Sequence, residues 1–222
     1  MSDARLEAVI WDMDGVIADT ADYHYRAWQD IFRERGVAFS LADFMPFFGR
    51  RHDSIVKFAL GDGLTPEEIK AVSDKKQALY RRLVARNVIP LPGAVTLIKA
   101  LNQNHIKSAI GTSAVPDNVD VILRGMGIEN SFQAIAYGTE VAEGKPSPQI
   151  FLLAAQKLGA EPAGCVVIED AIAGVAGAKS AGMKCVAVTN SHPAAALKDA
   201  DLVVDSLEKV DIGVLQGLFN HV

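Results

Sequence analysis

Asp12 and Asp14 stand two residues apart in Asp12-Met13-Asp14-Gly15, at the end of the apolar run Ala8-Val9-Ile10-Trp11. A carboxyl with an ordinary pKa near ~3.9 is ionised at neutral pH, so Asp12 is an anionic nucleophile that needs no helper base. Three further segments carry polar groups beside apolar runs. Thr112-Ser113 follows Ser108-Ala109-Ile110-Gly111, Lys145 lies in Glu143-Gly144-Lys145-Pro146-Ser147-Pro148, and Glu169-Asp170 closes Cys165-Val166-Val167-Ile168. Carboxylates, a hydroxyl and an ammonium in this combination suit phosphoryl transfer. A phosphate repels an anionic nucleophile, and a divalent cation bridging the two removes the repulsion; oxygen ligands suit Mg²⁺. Asp12, Asp170 and the carbonyl of Asp14 are candidate ligands, with Glu169 in support. Lys145 adds a fixed positive charge, and Thr112 with backbone amides can hold the equatorial oxygens. Asp14 is placed to protonate the leaving oxygen and then to activate water. Gly15 allows a tight turn beside the phosphate.

These segments need a frame that brings them together. From Pro90 onward, helical patterns alternate with short apolar runs: helices near 94–103, 117–126, 148–158 and 172–181, and strands at 108–111, 134–137, 165–169, 184–188 and 202–204. That alternation predicts an α/β fold with a doubly wound parallel sheet, whose ligands sit at the carboxyl ends of the strands. The chemistry-bearing residues all fall at such ends. Between the first strand and its partners, residues 16–90 read as helical throughout. One helix runs from Tyr23 to about Gly36, and another begins at Pro66 behind Thr65 as N-cap. An excursion of that length is too long for a loop. The expected organisation is a sheet domain from 1–17 and 91–222, with a second, all-helical domain from 18–90. The two connections, near 18–20 and 88–92, are expected to act as hinges.

The four segments resemble the motifs of the haloacid dehalogenase superfamily, in the branch with a helical cap after the first strand. Asp12-Met13-Asp14-Gly15-Val16 matches its first motif, Thr112 its Ser/Thr motif, Gly144-Lys145-Pro146 its lysine motif, and Ile168-Glu169-Asp170-Ala171 with Gly174 and Ala178 its acidic motif. The resemblance implies that 1–17 and 91–222 form a Rossmann-like catalytic core and 18–90 a helical cap, in a Mg²⁺-dependent enzyme that forms a phosphoenzyme on Asp12. The acid at Asp14 points to a phosphatase or phosphomutase, because the dehalogenases lack it. Asp19-Thr20-Ala21-Asp22-Tyr23-His24-Tyr25-Arg26-Ala27-Trp28 is similar to the first cap helix of β-phosphoglucomutases and their sugar-phosphatase relatives. There the matching His, here His24, holds the general acid until substrate arrives. Lys76 matches a cap lysine that faces the active site, and Arg51 or Arg50 matches an arginine that grips a distal phosphate. Ser113 and Ala114 fall at the family's substrate-binding stretch, but the mutases carry a lysine there that this chain lacks. The expected activity is therefore hydrolysis of a small phosphorylated metabolite, a sugar phosphate, with interconversion of β-glucose 1-phosphate and glucose 6-phosphate as the alternative. A phosphorylation-controlled receiver module would also gather acids, a Thr and a Lys at a sheet edge, but has no place for the helical insert.

Composition narrows the setting. The 222 residues carry a formal charge of −5 without a basic stripe, which disfavours nucleic acid as partner. No apolar run approaches the roughly 20 residues of a membrane span, and the charged first residues do not read as a signal peptide. Cys165 and Cys185 lie in apolar runs and read as small buried hydrophobes. The expected location is cytoplasmic, and the expected partner is a small phosphorylated substrate. Nothing in the pattern sets the oligomeric state, and a monomer is compatible with it.

Overall fold

The computed structural model describes residues 5–49 and 52–220. Its centre is β1 (Ala8–Trp11), every residue of which is buried. A strand with apolar side chains on both faces has to be covered on both sides, and β1 is the third of six strands. The others are β2 (Lys107–Thr112), β3 (Ala134–Tyr137), β4 (Cys165–Glu169), β5 (Lys184–Val188) and β6 (Leu202–Val204), in the order β3-β2-β1-β4-β5-β6. All pairings are parallel, and Ile10 lies opposite Ala109 on one side and Val167 on the other. The chain builds outward from β1 to β3, then returns to build outward through β4. The order therefore reverses at β1, where the crevice of a doubly wound sheet opens beyond the carboxyl ends of the strands.

Period-two alternation sorts the strand residues onto two apolar faces. Val9, Trp11, Ile110, Val166 and Ile168 join a cluster with α5 (Ala94–Gln103), α6 (Pro116–Met126) and α9 (Ile212–Gly217). Ala8, Ile10, Ala109 and Val167 face α7 (Gln149–Leu158) and α8 (Ile172–Ser180). Cys165 and Cys185 are free, buried thiols in this second cluster. Burial pushes Cys165 up to about 12 and Cys185 higher still, so neither is a ready thiolate.

Between β1 and α5 the described residues contain helices and no strand: α1 (Ala21–Arg33), α2 (Leu41–Phe44), α3 (His52–Leu60) and α4 (Pro66–Val84). Thr65 caps α4 as expected, accepting from Glu68 N while the Glu68 carboxylate accepts from Thr65 N. Trp28, Phe32, Phe44, Ile55 and Val72 form a core inside this insert. Ala27, Tyr80 and Val84 pack instead into the cluster on the sheet. The insert leaves and re-enters the sheet layer at one place, where Ala18 and Pro90 bridge antiparallel, Asp19 N donates to Ile89 O and Leu91 N donates to Ile17 O.

Candidate active site

The carboxyl ends of β1, β2 and β4 and the loop before α7 converge on Asp12. Lys145 Nζ donates to Asp12 Oδ1 at 2.8 Å and to Glu169 Oε1 at 2.6 Å. The other Glu169 oxygen accepts from the backbone N–H groups of Asp170 and Ala171, both at 2.8 Å. Glu169 is wholly buried and fully engaged, so it acts as the clamp that fixes Lys145 and the turn after β4. Asp170 Oδ2 accepts from Ser191 Oγ. Two glycines make this packing feasible. A Cβ on Gly15, at φ +85°, would lie 2.0 Å from Asp170 Oδ2, and one on Gly174 would lie 1.8 Å from Glu169 Oε1.

The charges explain what the cluster needs. Burial, moderated by Lys145 and reinforced by Glu169, pushes the Asp12 carboxyl up to about 7. Burial and the charges of Glu169 and Asp12 raise Asp170 well above the carboxylate range. Burial alone would lower Lys145, but the Asp12 and Glu169 carboxylates outweigh it and hold the ammonium charged. Three acids thus face one fixed cation. Oxygens of Asp12, Glu169 and Asp170 lie within 4.8 Å of one another. With Glu169 engaged, Asp12 Oδ2 and Asp170 Oδ1 are the oxygens that have no side-chain partner among the described residues. An all-oxygen set with excess negative charge fits a small, hard divalent cation. The Asp14 carboxylate is not part of that cluster.

Asp14 turns toward the insert. Its Oδ1 accepts from Thr20 Oγ1 at 2.6 Å and lies 3.3 Å from His24 Nε2. His24 Nδ1 lies 2.6 Å from Lys76 Nζ. The Asp14 carboxylate only accepts, so the pairing assigns Nε2–H as donor to Asp14 and Nδ1 as acceptor from Lys76. Burial first, then the Lys76 charge, pushes His24 down to about 4, so the ring is neutral at neutral pH. Burial pushes Lys76 down to about 7 against the pull of Asp14. Burial would also raise Asp14, but its bonds and the positive charge beyond them keep the carboxyl below its usual value. Tyr80 stacks on His24 with ring centroids 3.9 Å apart. Lys76 is completely buried, with its Nζ 5.3 Å from the Trp28 ring centre.

Two cavities meet at Asp14. The smaller, about 160 Å³, is lined by Asp12, Asp14, Thr112, Lys145, Glu169 and Asp170. Thr112 Oγ1 accepts from Ala114 N at 3.1 Å, leaving its own O–H to donate into this chamber. The larger, about 470 Å³, runs between insert and sheet layer past His24, Trp28, Phe48, Gln77 and Asn118. Asp14 and Ser113 line both, and Ala114 lines the larger one. The structure thus brings Asp12, Asp14, Thr112, Ser113, Ala114, Lys145, Glu169, Asp170 and His24 to one place. Lys76 joins through His24 and lines neither cavity. Arg51 and Arg50 lie outside the described residues.

Sequence reasoning missed three contributors. Ser191 and Asn190 follow β5, and Asn190 Nδ2 donates to Gly15 O at 2.8 Å. Extending the strand-end rule one strand further would have found both. Thr20 occupies the N-cap of α1 but makes no capping bond, because its hydroxyl serves Asp14. The sequence offers no signal for that preference.

The family profile of haloacid dehalogenase-like hydrolases matches residues 6–182. Beta-phosphoglucomutase of Bacillus subtilis (strain 168) is 36% identical over 218 residues, covering 95% of this chain and 94% of that protein. The fructose-1-phosphate phosphatase of Escherichia coli (strain K12) is 31% identical over 188 residues, covering 83% and 97%. A match of 37% identity over 217 residues to the chloroplastic protein SUPPRESSOR OF QUENCHING 1 of Arabidopsis thaliana spans 94% of this chain but only 20% of that protein. Among solved structures, a beta-phosphoglucomutase from Clostridium difficile superposes with a TM-score of 0.87 at 30% identity, covering 97% of each chain. The chain belongs to the haloacid dehalogenase-like hydrolase family and is an enzyme of it.

Proposed function

We propose that the chain is a Mg²⁺-dependent phosphatase that cleaves a small sugar phosphate through an aspartyl-phosphate on Asp12. The observation that carries this reading is the position of Asp14. It stands where a chamber holding Asp12, Lys145 and Thr112 joins a larger chamber with room for a leaving group. Asp12 and Asp170 would hold the cation, with Glu169 behind them and the Asp14 carbonyl as a further donor. Bound there, the ion would neutralise the chamber's excess negative charge and offset repulsion between Asp12 and the phosphoryl group.

Asp12 attacks phosphorus, and the bond to the leaving oxygen breaks. Lys145 and the Thr112 hydroxyl stabilise charge on the equatorial oxygens. Asp14 supplies a proton to the leaving oxygen, then takes one from the water that hydrolyses the phosphoenzyme. The carboxylate bound to Thr20 and His24 is the form suited to accept a proton. Delivering one requires Asp14 to leave both partners. His24 and Lys76 belong to the insert, so its position over the sheet would control that release. In this reading, 18–90 is a cap that moves against a core formed by 1–17 and 91–222, and closure excludes water from the chamber.

A phosphate-release panel with Mg²⁺ over β-glucose 1-phosphate, glucose 6-phosphate and fructose 1-phosphate tests the reading. Asp12→Asn abolishes release, and full turnover by that variant overturns the nucleophile assignment. The second reading, beta-phosphoglucomutase, is supported by the 36% identity to the Bacillus subtilis enzyme. It requires that β-glucose 1-phosphate, primed with a bisphosphate, gives glucose 6-phosphate faster than inorganic phosphate; hydrolysis alone rules it out.

A further inference from the structure

Helices α4 and α6 meet across the larger cavity, and their polar contacts form a chain of fixed polarity. Arg81 Nη1 donates to Asn118 Oδ1 at 3.2 Å, and Asn118 Nδ2 donates to Gln77 Oε1 at 2.9 Å. A guanidinium stays protonated and offers donors only. It therefore selects the oxygen end of the Asn118 carboxamide and turns the NH₂ end toward Gln77, which in turn must present its own oxygen. Asp117 Oδ2, 3.7 Å from the same Nη1, helps to hold Arg81. The amide nitrogen of Gln77 then points away from Asn118 and has no protein partner among the described residues. Asn118 is 1% exposed and Gln77 8%, and both line the cavity. Gln77 Nε2 is not among the fully buried polar atoms that lack a partner, so it keeps contact with the cavity and is free to donate to a ligand oxygen there. Trp28, Phe44 and Phe48 line the same cavity, so a polar group presented there orients a ligand among apolar walls.

We propose that Gln77 is a specificity residue whose Nε2 donates to an oxygen of the leaving group, a hydroxyl or carbonyl of the sugar, and that Asn118 and Arg81 are positioning residues that fix it as a donor. This rests on the phosphatase reading and names the part of the ester that the insert recognises.

The test compares kcat/KM for the best-cleaved sugar phosphate of the panel above with kcat/KM for phenyl phosphate, which has no oxygen beyond the ester. The ratio of the two is independent of how much of a variant is folded. Gln77→Leu lowers that ratio about three- to tenfold, the size of one neutral hydrogen bond. Asn118→Leu lowers it as well, and the double variant falls no further than Gln77→Leu, because Asn118 acts only through Gln77. An unchanged ratio in Gln77→Leu, or additive losses in the double variant, overturns the relay. A wild-type protein that releases phosphate from no ester overturns the phosphatase reading and the relay together. An active wild type with an unmoved ratio overturns the relay alone.

Discussion

Gly174→Ala places one methyl group where the site has no room for it. The new Cβ would lie 1.8 Å from Glu169 Oε1, 1.9 Å from its Cδ and 2.4 Å from Oε2. A flexible surface carboxylate would simply swing aside. Glu169 cannot, because it is wholly buried and bonded to Lys145, Asp170 N and Ala171 N. Overpacking a rigid site costs about 1–3 kcal/mol, and loss of one charge-assisted hydrogen bond adds roughly 1.5–3. Replacing a glycine inside α8 returns about 1 kcal/mol of helix propensity. The net loss is about 1.5–5 kcal/mol, which in a chain of this length lowers Tm by roughly 3–20 °C. Lys145 loses its fixed geometry at the same time, so phosphate release with saturating Mg²⁺ falls much further than the folded fraction does. Thermal unfolding and single-substrate kinetics on the same preparation read both effects. A variant with Tm within about 2 °C of wild type and undiminished kcat refutes the clamp role given to Glu169.

Two other perturbations probe separate parts of the site. Ser191→Ala removes the hydroxyl that orients Asp170, and loss of such outer support weakens metal affinity by about 10–100-fold; a Mg²⁺ titration of activity with an unmoved midpoint counts against it. His24 titrates near 4 in the fold against an ordinary value of 6.5, so between those values the unfolded chain binds a proton that the folded chain refuses. Stability therefore falls as pH drops from about 6.5 to about 4, by up to about 3 kcal/mol from this group. His24→Gln lacks the proton and shows a flatter Tm against pH in that window; parallel curves for the two proteins refute the assignment.

The strands and helices around the site were legible because their patterns are local. Ala8–Trp11 has no polar residue to expose, and Thr65 with Glu68 announces a helix start within a single turn. The strand-end rule reached Asp12, Thr112 and Asp170 for the same reason: each sits at a local change of pattern. What stayed hidden depends on contacts between distant segments. Gln77 and Asn118 are ordinary polar residues of two amphipathic helices, and only the crossing of α4 over α6 makes them a pair. Lys76 has the sequence character of a solvated helix lysine, yet the aromatic rings of Trp28 and Tyr80 and the His24 nitrogen take it fully out of water. Its burial follows from the packing of α4 against α1 within the insert, which neither helix encodes alone.

The antiparallel bridge between Ala18 and Pro90 makes the insert a detour that begins and ends at one point of the sheet. A detour of this kind adds little to the entropy of closing the chain, since that cost grows only logarithmically with its length. Lengthening, shortening or exchanging it leaves the strand register intact, because Asp12 and Thr112 are aligned by the pairing of β1 with β2 rather than by anything between them. Under the proposed cap role, the recognition surface is a cassette that can be exchanged while Asp12, Lys145 and the acidic cluster keep their places. Grafting the segment from a related hydrolase between these two junctions is the matching route to a new substrate preference.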